Sequence, residues 1–198
     1  MESIPTFCER EKKILIEGDL SSPLRILKND NYQDSLILSS KCDSVDVKEH
    51  YLKHLITRLF TTVSDEHNAG VGIAAPQVGI SKRVFLAQRT DKEGQPFEYY
   101  INPSILWYSK LKFRGEEGCL SIDNVTGHVY RSNAILLSFY TLEGENVREM
   151  IEGFPAVIVQ HEYDHLNGVL FTDRVRTQSK LTYVDASEEK AFFYEMDK

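Results

Sequence analysis

Pro155-Ala156-Val157-Ile158-Val159-Gln160-His161-Glu162-Tyr163-Asp164-His165-Leu166-Asn167-Gly168 is the stretch on which the fold turns. A proline suits the first turn of a helix and a glycine its end, so one helix is predicted from Pro155 to a stop at Gly168. Ala156 to Val159 are all apolar, which makes this a buried helix. In its middle, His161 and His165 are four apart, so their imidazoles project from one face a single turn apart. Glu162 sits beside the first of them, where a carboxylate can act as general base in metal-assisted hydrolysis without binding the ion. The plainer alternative is a chance His-Glu-x-x-His pattern on a solvated face. The apolar flanks weigh against it, because unpaired histidines and carboxylates are costly to bury.

A hydrolytic ion needs a third protein ligand and one open position. Downstream, Glu188, Glu189 and Glu195 lie in a tail where nothing marks any of them out. Upstream, Glu116-Glu117-Gly118-Cys119-Leu120-Ser121 places a lone cysteine after a glycine, between predicted strands. A thiolate binds Fe, Zn, Co or Ni strongly. A buried structural cysteine is the bland alternative, and the adjoining glycine and acids favour a shaped site. A third segment, Gly70-Val71-Gly72-Ile73-Ala74-Ala75-Pro76-Gln77-Val78-Gly79, is a loop of small residues that a ligand backbone can approach closely. It lacks the Gly-Lys-Ser/Thr ending of a phosphate loop, and Gln77 offers an amide donor to a developing oxyanion.

Around these segments, 198 residues suffice for one domain with a full core. Asp46 with Glu49 forms a capping-box signature ahead of Tyr51, Leu52, Leu55, Ile56, Leu59, Phe60 and Val63, which predicts a long amphipathic helix ending near 64–68. Strands are predicted at Arg83 to Ala87, Tyr99 to Ile101 and Ala134 to Tyr140, the last followed by a turn at Glu143-Gly144-Glu145. The expected architecture is α+β: mixed or antiparallel strands packed around one central metal-binding helix, in a single domain. Residues 1–24 read as an extension, with Ile14-Leu15-Ile16 an edge strand or a loose arm, and 177–198 as a tail with a weak terminal helix. Cys8 and Cys42 are expected to have no chemical role; three widely spaced cysteines suit a reducing compartment. A net charge of −7 without clustered Lys and Arg argues against a nucleic-acid surface. No apolar run reaches the roughly 18 residues of a membrane span, and the acidic N-terminus resembles neither a secretory signal nor a transit peptide. A cytoplasmic protein is expected.

The Gly70 to Gln77 segment, Glu117-Gly118-Cys119-Leu120-Ser121 and Gln160 to Gly168 together resemble, in order and spacing, the three signature motifs of the peptide deformylases. The resemblance spans about 25–176. It implies removal of the N-formyl group from N-formylmethionyl nascent peptides, near the ribosome, with release of formate. It also implies Cys119, His161 and His165 as ligands of one divalent ion, Fe(II) by preference with Zn, Ni or Co as substitutes, and Glu162 as acid and base. Gln77 and the backbone N–H of Leu120 would hold the oxyanion. Val71, Gly72 and Gly118 would pair through their backbones with an extended substrate, and Val71, Val157 and Ile158 would line the methionine pocket. Arg131 would pair with Glu117 to brace the cysteine loop. Relatives often read Ile-Pro and Pro-Arg where this chain has Ile122-Asp123 and Tyr130-Arg131, which affects the substrate rim and leaves the chemistry intact. A monomer or a homodimer is expected. A zincin-like peptidase that tolerates Cys119→Ala and a non-catalytic homologue that only binds peptides stay open on the residues.

Overall fold

A computed structural model describes residues 6–68, 70–186 and 191–196. Near the N-terminus, α1 (Glu9–Ile16) starts with a capping box in which the Cys8 N–H donates to Glu11 Oε2 at 2.9 Å. The Ile14-Leu15-Ile16 run, expected as a strand or arm, is therefore helical: Leu15 is buried in the core and Ile16 faces outward. α2 (Tyr32–Leu38) is capped by the Asn31 side chain. α3 (Leu52–Val63) is the expected amphipathic helix, but it begins later than the Asp46-Glu49 signature predicts. The Asp46 carboxylate instead accepts from the Lys48 N–H at 2.9 Å, closing a local turn and leaving Tyr51 as the cap.

Next come β1 (Gly72–Ala74), a 3-10 turn at Ala75–Val78, β2 (Val84–Gln88), β3 (Phe97–Tyr108), β4 (Leu111–Cys119), β5 (Ile122–Ser132), β6 (Ala134–Tyr140) and β7 (Asn146–Glu152). They precede α4 (Phe154–His165), α5 (Phe171–Gln178), β8 (Tyr183–Asp185) and β9 (Phe192–Glu195). Among the described residues the strands form two antiparallel sheets, ordered β1-β2-β3-β6-β7 and β5-β4-β9-β8. β4, β5 and β7 carry so many charged and polar residues on their exposed face that no apolar run announces them.

α4 is the predicted central helix. Gly153 precedes it at φ 67°, Pro155 occupies its first turn, and Gly168 at φ 69° turns the chain away beyond it. Val157, Ile158 and Val159 are β-branched and lose a few tenths of a kcal/mol each as helix formers, whereas burial of such a side chain contributes about 1.5–3 kcal/mol. Packing wins. Ala156, Ile158, Val159 and Leu166 lie against Phe85, Tyr100, Ile135 and Ile151 of the five-stranded sheet. A second cluster seats Leu52, Leu55, Leu59 and Val63 of α3 on Ile73, Val84 and Leu86. The result is the expected α+β single domain, with strands gathered around one helix.

The tail departs from its predicted weak helix. α5 runs on to Gln178, whose side chain accepts from the Tyr130 N–H at 3.0 Å and donates to the Tyr130 carbonyl at 2.8 Å. Beyond it, β9 pairs with β4 at Leu111–Phe113 and β8 pairs with β9. An open edge of β4 and a buried slot for Phe193 outweigh the local helical pattern. Glu188 and Glu189, named above as possible ligands, lie outside the described residues, and Glu195 lies in β9.

Candidate metal centre

Cys119 ends β4, at a tight connection where it faces Ile122 of β5 after a shift of register. The thiol sulfur accepts from the Ser121 N–H at 3.4 Å, and Lys28 Nζ donates to the Leu120 carbonyl at 2.8 Å, so the connection is fixed from both sides. α4 brings the two histidines to it. His165 Nε2 lies 3.3 Å from Cys119 Sγ, and one ligand atom from each of Cys119, His161 and His165 lies within 4.8 Å of the others. Among the described residues this is the one such group.

His161 Nδ1 is bonded to Glu117 Oε2 at 2.9 Å, which fixes the ring and leaves Nε2 for the centre. Glu117 is held in turn by Arg131, through Nε at 2.7 Å and Nη2 at 2.8 Å, as a two-pronged pair. Behind it, Arg131 and Arg174 both donate to buried Asp164. Burial alone would push the Glu117 carboxyl up, but Arg131 and His161 outweigh it and hold it at about 2. At Cys119 burial likewise opposes the charged form, and the neighbouring His165 and His161 bring the thiol down to about 5. It is a thiolate at neutral pH, the form that ligates metal.

Glu162 is the opposite case. Burial raises its carboxyl to about 7 against the lowering pull of His161 and His165, and its Oε2 has no hydrogen-bond partner among the described residues. The glutamate reaches this place because the opposite wall is Gly72: a Cβ there would lie 2.9 Å from Glu162 Cγ and Cδ. Among the described residues His165 Nδ1 is the other buried side-chain polar atom without a partner. One soft sulfur, two imidazoles and an unpartnered carboxylate fit a single divalent cation with an open corner.

Gln77 lies in the 3-10 turn after β1. Its Oε1 accepts from the Ala74 N–H at 2.8 Å, which turns Nε2 toward Cys119 Sγ at 3.5 Å and Ser121 Oγ at 3.3 Å. Val71, Gly72, Gln77, Glu117, Gly118, Cys119, Leu120, Val157, Ile158, His161 and Glu162 all line one cavity of about 430 Å³. Three proposed groups, distant in sequence, thus meet at one opening, with His165 and Arg131 behind it. Sequence reasoning missed Phe154, which also lines the cavity and is half exposed. Its spacing from Val157 and Ile158, three and four residues on one helix, was the available signal. It also missed Asp164 and Arg174, whose pairing no local pattern discloses.

The sequence model of the family described as polypeptide deformylase matches residues 24–181. A peptide deformylase of Thermotoga neapolitana is 40% identical over 145 residues, covering 73% of this chain and 85% of that one. Among solved structures, the Met-Ala-Ser-bound class I type b peptide deformylase of Acinetobacter baumannii superposes with a TM-score of 0.68 at 38% identity, over 77% of this chain and 99% of the other. The peptide deformylase of Thermotoga maritima gives 0.69 at 38% identity, over 78% and 98%. With the fold and the Cys/His/His site beside these similarities, the chain belongs to the polypeptide deformylase family, a family of metal-dependent hydrolases.

Proposed function

We propose that this hydrolase removes the N-formyl group of formylmethionyl nascent peptides through one divalent ion held by Cys119, His161 and His165, with Fe(II) as the working ion and Zn, Ni or Co as substitutes. The carrying observation is a buried Glu162 carboxylate, its Oε2 without a hydrogen-bond partner among the described residues, beside a thiolate and two imidazoles. When bound, the cation supplies Lewis-acid activation of a water molecule and of the formyl carbonyl.

In this reading Glu162 Oε2 takes the proton of the attacking water and returns it to the leaving amine, which a carboxyl raised to about 7 suits at neutral pH. Gln77 Nε2 and the Leu120 N–H donate to the oxygen that gains charge. Val71, Gly72 and Gly118 pair through their backbones with an extended peptide, as a strand adds to a sheet edge. Val71, Phe154, Val157 and Ile158 surround the methionine side chain, in keeping with the Met-Ala-Ser bound to the Acinetobacter relative. Glu117 and Arg131 orient His161. No helix of the described chain is long and apolar enough to cross a membrane, and we place the enzyme in the cytoplasm, near the ribosome, as a monomer or homodimer.

The test is formate release from a formyl-Met peptide by anaerobically purified protein, beside its Glu162→Ala variant. The variant is expected to keep its metal, measured by elemental analysis, and to lose about 10²–10⁴-fold in kcat. Parental activity in that variant would remove Glu162 from the chemistry. Cys119→Ala is expected to lose the metal and the activity; retention of both would remove the thiolate from the ligand set.

A further inference from the structure

α1 lies outside the residues matched by the family model, 24–181, yet one of its faces is bonded to the turn that carries Gln77. Buried Glu11 spans two elements: Oε2 accepts from the Cys8 N–H at the start of its own helix, and Oε1 accepts from the Ser81 N–H at 2.8 Å. Arg10 Nη2 donates to the Gly79 carbonyl at 3.0 Å. Ile14 closes over Gly79, where a Cβ would stand 3.3 Å from Ile14 Cδ1 and where φ is +85°. The far end of α1 is anchored as well. Buried Arg58 of α3 donates to the carbonyls of Leu15 and Glu17, each at 3.0 Å.

The helix therefore connects α3 to residues 79–81, the exit of the four-residue 3-10 turn in which Gln77 sits. From the other side the Leu27 N–H donates to the Gln77 carbonyl at 2.7 Å. So short a 3-10 segment has poor hydrogen-bond geometry of its own and takes its shape from what holds it. An oxyanion donor displaced by about 1 Å loses most of its effect.

We infer that α1 is a positioning strut for the reaction, with Glu11 and Arg10 holding the Gln77 turn so that the Gln77 amide meets the oxyanion. This rests on the role proposed above for Gln77. Neither side chain touches the substrate cavity, so both act through Gln77. A double-mutant cycle tests it: Glu11→Ala, Gln77→Ala and the pair, each assayed as full-length, metal-loaded protein with a formyl-Met peptide, with metal content and circular dichroism recorded.

Glu11→Ala is expected to lower kcat about tenfold, with KM changed less than about twofold and metal content unchanged. In the Gln77→Ala background the same substitution is expected to cost less than about twofold, because its route to the chemistry is already cut. A kcat unchanged by Glu11→Ala overturns the strut, as does an equal loss in both backgrounds, which would mean general loosening. If Gln77→Ala keeps parental kcat, the role of Gln77 fails and the inference falls with it. Should Glu11→Ala not fold, Arg10→Ala, an exposed position, carries the same cycle with the same criteria.

Discussion

At Gly72 the backbone runs against the Glu162 side chain so closely that even a methyl group has no room. Gly72→Ala must therefore move the carboxylate or the strand. On the proton-carrying role proposed for Glu162, that contact places the carboxylate, and turnover is expected to fall on the order of 10²-fold with the metal retained. Steady-state formate assays with elemental analysis check this; a parental kcat would mean that the carboxylate works from elsewhere. Both residues were legible in the sequence, Glu162 from the helix motif and Gly72 from its small-residue loop, but their mutual dependence was not, because β1 and α4 are brought together only by the sheet. The link from His161 through Glu117 and Arg131 to Asp164 and Arg174 was half legible. The Glu117–Arg131 pair followed from the resemblance, while Asp164 and Arg174 meet through a turn of chain that no periodicity encodes.

Helix α2 carries a test of the same kind one scale up. Buried Asp34 accepts from Arg25 Nη1 and Nη2 at 2.9 and 2.8 Å and from the Lys28 N–H at 3.0 Å. The hydrogen bonds from Arg25, against the opposing effect of burial, hold its carboxyl below the ordinary aspartate value. A folded pKa below the unfolded one means a contribution complete above the unfolded value, roughly 3.9, and lost as pH falls through the folded value. Urea midpoints of the parent and Asp34→Asn should therefore differ at pH 7 and converge toward pH 2–3; a constant gap would contradict the linkage. Between 25 and 45 this short capped helix stands, with one isolated bridge at Asp43. The helices with strong apolar signatures, α3 and α4, and strands β2 and β6 could be read from their side chains. β4, β5 and β7 could not, since their exposed faces are polar, and the tail misled because its aromatic residues serve strand edges supplied by distant parts of the chain.

Taken as a whole, the molecule closes its centre between two sheets: the sulfur comes from the β4–β5 connection and both imidazoles from α4. An ion bound there binds the folded chain far better than the unfolded one, so chelation should lower the melting temperature. At about 100 times its Kd the ion adds about 2.7 kcal/mol, worth roughly 5–10 °C in a chain of this size. Scanning calorimetry with and without a chelator checks it, and coincident transitions would argue against the cation site. The same division of donors sets an order of events in the life of the protein. A half-made chain exposes cysteine and histidines only as separate weak binders, and the three-way grip exists once three intervening strands have come to rest. Loading is accordingly expected to follow the settling of those strands, because the full ligand set exists only in the folded chain.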